Sequence, residues 1–235
     1  ITNDDQIIPY FISATSAANE GSSSADSGVK VGWDEVIAAN VPSLTLDVNS
    51  SCAVNGCTLG SDINFNASES ISVFTTGSEK AAPGSSGETI GLNIEGDTMV
   101  EPTEELTLTL SSSNTAYIDT ASSTQASHTR TITNDDKLVP YFIGDAANLD
   151  EGNSGQAAAN VKFTWDQVIA ANVPSIDLTL TSNCAANGCT LAQDINHSAS
   201  STVSVFTTGT EKASPGATGQ SADLLINGDT LVEPS

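Results

Sequence analysis

The stretch Leu106-Thr-Leu-Thr-Leu110 alternates apolar and hydroxylated side chains without interruption. A period of two places its leucines on one face of a β-strand and its threonines on the other. The same alternation returns over residues 7–12, 29–33, 44–48, 71–74, 90–94 and 129–132, with clusters of Gly, Ser, Asn and Pro between the stretches. Seven short strands punctuated by turn residues predict an all-β unit, an antiparallel seven-stranded β-sandwich of immunoglobulin-like type. One stretch leaves two readings open: residues 34–40 either form a helical turn capped by Asp34 and stopped ahead of Pro42, or run extended.

The pattern occurs twice. Ile1-Thr-Asn-Asp-Asp5 returns as Ile132-Thr-Asn-Asp-Asp136, and Glu20-Gly21 returns as Glu151-Gly152, both 131 residues later. After one inserted residue the match continues, from Trp33 to Trp165 and from Val100-Glu-Pro102 to Val232-Glu-Pro234. A period this long is a domain rather than a solenoid turn. Residues 1–5 read as the end of a preceding repeat's last strand, 6–136 as one complete repeat, and 137–235 as a second, truncated repeat without its last strands. Because the second copy has no counterpart of residues 104–136, its sheet would keep an unpaired edge, so the natural chain is expected to continue in both directions.

Charge narrows the partners. Asp and Glu number 29 against six Lys and Arg, a formal net charge of -23. Such a surface repels phosphate backbones and anionic lipid, so nucleic acid is not expected and cations are. Disorder is the other reading of so much acid, but 38% of the residues are hydrophobic and they are patterned, which favours a folded chain. No apolar run reaches the roughly 18 residues that span a bilayer, so membrane insertion is not expected of this segment, and any leader would lie outside it.

Cysteines bracket an Asn-Gly turn in each copy: Cys52-Ala-Val-Asn-Gly-Cys57 and Cys184-Ala-Ala-Asn-Gly-Cys189. Zinc sites favour two-residue spacings and nearby histidines, whereas this chain has only His128 and His197. Two local disulfides, Cys52 with Cys57 and Cys184 with Cys189, are expected over buried thiols. Each would restrict the unfolded chain by about 2 kcal/mol on a loop-entropy model. Disulfides of this kind place the chain in an oxidising compartment, secreted or at the cell surface.

Comparing the two copies sorts the acids. Glu35, Asp47, Glu69, Glu88 and Glu95 face Gln167, Thr179, Ser201, Gln220 and Asn227, the behaviour of interchangeable surface charge. Glu20, Asp62, Asp97 and Glu101 recur as Glu151, Asp194, Asp229 and Glu233, each at a strand boundary, and Asp135 with Asp136 follows the seventh strand. Loops of a sandwich gather at two poles, so these acids either cluster at one pole or remain ordinary loop acidity. A cluster would be strongly repulsive without a hard cation, and Ca²⁺, with six to eight oxygen ligands in flexible geometry, suits it better than Mg²⁺.

These phrases, Asn19-Glu20-Gly21, Thr58-Leu-Gly-Ser-Asp62, Gly96-Asp97-Thr-Met-Val-Glu101-Pro-Thr-Glu104 and Thr131-Ile-Thr-Asn-Asp-Asp136, resemble in order the Calx-beta domain of sodium–calcium exchangers, an integrin β subunit and large bacterial surface proteins. The resemblance implies calcium ligands at Glu20, Asp62, Asp97, Glu101, Asp135 and Asp136 in the complete repeat. In the truncated repeat it implies Glu151, Asp194, Asp229 and Glu233, and Asp4 with Asp5 would close a preceding repeat. Gly96 and Asn134 stand where calcium-binding members can carry further carboxylates.

With almost no residues between Asp136 and the next repeat, a metal there would remove hinge freedom. The leading expectation is therefore a structural one: spacer or stalk repeats of a long bacterial surface protein, supporting adhesion, with neighbouring repeats as partners. Two alternatives are a subunit of a self-assembling extracellular filament, associating into fibres, and a glycan- or protein-recognition module using the loop over residues 78–89. Catalysis is not expected, since neither histidine recurs and no nucleophile elbow or phosphate-binding loop occurs. Asn49, Asn66 and Asn196 begin glycosylation sequons, a pattern common by chance in Ser-rich chains.

Overall fold

The structure, a computed structural model, describes residues 4–55, 57–144, 150, 152–183, 189–191, 193–197 and 199–230. It divides into unit 1, Ile1–Thr98 with Pro102–Asp136, and unit 2, Met99–Glu101 with Lys137–Ser235. Both are built of β-strands, and among the described residues the only helical elements are two short 3-10 turns, Gly84–Ser86 and Gly216–Thr218.

Unit 1 contains β1 (Pro9–Phe11), β2 (Thr15–Asn19), β3 (Ala25–Asp26), β4 (Lys30–Trp33), β5 (Leu44–Val54), β6 (Ser68–Phe74), β7 (Glu88–Thr89), β8 (Asn93–Ile94), β9 (Glu104–Ser111) and β10 (Ser127–Thr133). One sheet runs β2-β10-β9-β5-β6, another β1-β4-β7, and β3 pairs with β8. Alternation explains the packing. Leu44, Leu46 and Val48 of β5 and Leu106, Leu108 and Leu110 of β9 turn inward, meeting Phe11, Val31 and Trp33 of the smaller sheet in one buried core. The threonines between the β9 leucines face away from that core.

Two features differ from the sequence reading, and one reading left open is decided. The β10–β2 pair is parallel, with Thr129 opposite Thr15 and Thr133 opposite Asn19, where an antiparallel arrangement was expected. β2 reads Thr-Ser-Ala-Ala-Asn and carries no apolar alternation, so its sequence gives little sign of a strand. The stretch 90–94 is not one strand: β7 and β8 flank Gly91, whose φ of 73° breaks the run. Residues 34–40 form no helical turn. Asp34 Oδ1 instead accepts the Ile8 N–H at 2.8 Å, and Ile37 pairs with Lys80.

Unit 2 contains β11 (Tyr141–Ile143), β12 (Gly155–Ala158), β13 (Lys162–Thr164), β14 (Ile176–Thr181), β15 (Ser200–Phe206), β16 (Gln220–Ser221) and β17 (Leu225–Gly228). Its sheets are β11-β13-β16, β12-β17 and β14-β15. Trp165 and Phe163 centre its core, as Trp33 does in unit 1. Each tryptophan lies under a lysine ammonium, Lys80 or Lys212, 5.0 Å from the ring centroid. Among the described residues no helix is long and apolar enough to cross a membrane.

Candidate metal centre

The parallel register of β2 and β10 decides where the first acids fall. Strands that run the same way end at the same pole, so Glu20, one residue past β2, and Asp135, two past β10, emerge together. Glu20 N–H donates to Thr133 O at 2.9 Å, and Gly21 N–H donates to Asp135 Oδ1 at 2.9 Å. The Glu20 side chain is buried, with 5% of its surface exposed, and its Oε1 accepts the Asp97 N–H at 3.4 Å. Gly96 makes that approach possible: a Cβ there would stand 2.3 Å from Gly21 O and 2.6 Å from Glu20 O. A side chain larger than hydrogen at position 96 would not fit this backbone.

Asp62 reaches the same neighbourhood from the turn after the cysteine bracket. Cys52 and Cys57 are disulfide-bonded, their Cα atoms 5.2 Å apart, and Asn55 between them adopts φ 62°, as the Asn-Gly signal predicted. The residue after the bridge, Thr58, donates its N–H to Asp62 Oδ2 at 2.5 Å, and Asp62 O accepts from Glu95 N–H at 2.8 Å. Burial pushes the Asp62 carboxyl above its usual range, the Thr58 hydrogen bond opposes that, and the Asp97 charge adds to the rise. Asp136 is also raised, first by burial and then by the charges of Asp135 and Asp97. Its Oδ2 is buried without a hydrogen-bond partner, while its N–H is held by Asn134 Oδ1 at 2.6 Å in an Asx turn.

In unit 1 Asp97 thus bonds Glu20 and its charge acts on Asp62 and Asp136, while Asp135 reaches the amide of Gly21 beside Glu20. Glu101 lies in Met99–Glu101, which belongs to unit 2. Asp194 repeats the arrangement of Asp62, with Thr190 N–H donating to its Oδ2 and Asn227 N–H to its carbonyl at 2.8 Å. Asp229 is half-buried, and Asp4 and Asp5 are exposed. Glu151, Glu233 and Cys184 lie outside the described residues.

Among the described residues, no three His, Cys, Asp or Glu side chains form a group that could hold a metal ion as they stand. The oxygens of Glu20, Asp62 and Asp135 are engaged by backbone amides of Asp97, Thr58 and Gly21. Those amides and the Asn134 turn were missed from the sequence; only the Asn-Asp-Asp order of an Asx turn could have signalled one of them.

No protein-family model matches the chain, and no curated protein matches it.

The histidines serve the packing. His128 Nδ1–H donates to Ser13 O at 2.6 Å, which leaves Nε2 to accept from the Ser16 hydroxyl at 2.7 Å. Its ring lies 5.4 Å from that of Phe11, and burial lowers its pKa. The 78–89 loop folds back on the smaller sheet: Lys80 pairs with Glu88 at 2.7 Å, and β7 pairs with β4.

Proposed function

We propose that the chain is a pair of Calx-beta-like repeats, each built on a seven-stranded immunoglobulin-like sandwich, that act as a calcium-stiffened spacer in a secreted or cell-surface protein. The observation that carries the metal part is Asp97, which bonds the buried carboxylate Glu20 and whose charge acts on Asp62 and Asp136, the latter with a buried, unpartnered Oδ2. Such groups are costly to keep charged unless a cation or hydrogen bonds compensate. The donors are all hard oxygens, which fits Ca²⁺. Glu20, Asp62, Asp97, Asp135 and Asp136 of unit 1 would hold it. A bound ion would supply positive charge that offsets their mutual repulsion.

The spacer role draws on the sequence passing directly from Asp136 of unit 1 to Lys137 of unit 2. The Cys52–Cys57 disulfide suits an oxidising exterior.

Thermal unfolding with Ca²⁺ and with chelator tests the metal part. At about a hundredfold excess over Kd, a ligand that binds only the folded state adds about 2.7 kcal/mol, a rise of several degrees in a domain of this size. Asp97→Asn with Asp136→Asn should abolish the rise, and Glu79→Gln should leave it intact. An unchanged midpoint in the unaltered chain removes calcium from the proposal.

A further inference from the structure

Unit 2 carries a polar groove of about 570 Å³, within the size range of small-molecule sites, bordered by β15, residues 220–223, Asn196 and His197. The opening belongs to the fold, because β6 and β7 of unit 1, which match β15 and β16, also stand at the ends of their sheets among the described residues. What lines it differs between the copies. In the register that matches Trp33 to Trp165, Phe65, Ile71 and Ile90 of unit 1 become His197, Val203 and Ala222, and Glu69 and Glu88 become Ser201 and Gln220. Phe65 and Ile90 are buried in the unit 1 core and Ile71 packs against it. Unit 2 has therefore given up apolar bulk and two carboxylates here, and gained one, Asp223 in place of Gly91.

Part of this lining is fixed and part is free. His197 is buried, with its ring nitrogens bonded to the hydroxyls of Ser182 and Ser201. The Gln220 amide donates to Ser204 O at 2.9 Å and accepts from Lys212 Nζ at 3.2 Å. Asn196 Oδ1 accepts the Leu225 N–H at 2.7 Å, and the Asp223 N–H donates to the Ser221 hydroxyl at 3.1 Å, which holds Asp223 at φ 51°. Four groups are left over. Asn196 Nδ2, Thr202 Oγ1, Ser204 Oγ and the Asp223 carboxylate have no hydrogen-bond partner among the described residues, and all four residues are exposed along the groove.

We propose that this groove of unit 2 binds a neutral saccharide. An anion would meet Asp223 and a formal net charge of -23, an apolar ligand would find only Val203 and Ala222, and a cation would find a single carboxylate. A sugar carries no charge and presents neighbouring hydroxyls that both donate and accept. The Asp223 carboxylate accepts from such hydroxyls, Asn196 Nδ2 donates to them, and the Thr202 and Ser204 hydroxyls do either. Because Gln220 and His197 are already held by other side chains, little of their rotamer freedom remains to be lost on binding. The inference goes beyond the spacer role and holds with or without calcium.

Titration of the whole 235-residue chain, in chelator, with the methyl hexopyranosides of glucose, galactose and mannose tests it, read by amide chemical shifts. With at least one of them, shifts should be confined to residues 196–223 and saturate in the millimolar range, as suits an open groove with few contacts. The matching trisaccharides separate the sources: equal affinity assigns the groove to single sugars, tighter binding assigns it to a glycan chain, and both uphold the proposal. Asp223→Asn keeps a residue that tolerates positive φ and should weaken binding about tenfold, the worth of one hydrogen bond to a charged group. His197→Phe with Ala222→Ile restores the residues of unit 1, which should fill the groove and abolish the shifts. Circular dichroism checks folding, and if the filled variant does not fold, Asp223→Asn decides alone. Amides that stay still with every sugar, that move equally in unit 1, or that respond unchanged in folded Asp223→Asn overturn the proposal.

Discussion

Phe11 and Phe142 occupy the same place in the two copies of the sequence, yet Phe11 is fully buried and Phe142 is 65% exposed. The difference is in what lies over them. Phe11 N–H donates to Gln125 O at 3.0 Å and its ring meets His128 of β10, while β9 presses Leu106 and Leu108 into the same core. In unit 2 Tyr141, Phe142, Leu178 and Leu180 line an open groove of about 340 Å³. Likewise β5 lies between β6 and β9, whereas among the described residues β14 pairs only with β15. The same apolar phrase is core in one setting and surface in another, because burial belongs to a set of partners and not to a residue.

The largest test of this contrast supplies the missing partners. Appending the sequence of residues 103–136 after Pro234 should bury Phe142, Leu178 and Leu180, at about 1.5–3 kcal/mol for each side chain fully buried. Trp33→Phe leaves Trp165 to report unit 2 by fluorescence, and its unfolding midpoint should rise by about ten degrees. An unmoved midpoint would show that the exposed aromatic groove does not limit the stability of unit 2.

Next in size is a pair of truncations. Leu46→Ala removes a fully buried side chain and should cost about 2–5 kcal/mol in unit 1. Leu178→Ala, at the matching half-buried position, should cost about 1 kcal/mol in unit 2. Chemical denaturation measures both, and equal costs would erase the contrast.

The smallest effect is on pH. Burial holds His128 below its ordinary pKa near 6.5, so the unfolded chain takes up the proton first as the solution is acidified. Stability from this residue is complete above about pH 6.5 and is lost as pH falls through the depressed folded value. His128→Gln should flatten that slope in unit 1. Asp62 and Asp136, raised by burial, act with the opposite sign. Without metal they give back stability as pH falls through their raised values toward 4, a gain that bound calcium would suppress. A slope identical in the unaltered chain and His128→Gln would remove the histidine from this account.

Much of this architecture was legible in the sequence where side chains alternate. Each of the seven periodic stretches holds a strand, and of the recurring acids Glu20 accepts the Asp97 amide while Asp135 accepts the amide of Gly21 beside it. What could not be read depends on the backbone. β2 is held by its parallel ladder to β10 and has almost no apolar signal of its own. Asp34 fits the sequence rule for a helix cap, but the Ile8 amide brought to it by the fold takes its oxygen.

The interlacing of Met99–Glu101 with Lys137–Ser235 bears on how such a protein can lengthen. A cut made at Asp136 would leave unit 2 without three of its own residues, so any duplication or deletion that spares the unit must carry Met99–Glu101 with it.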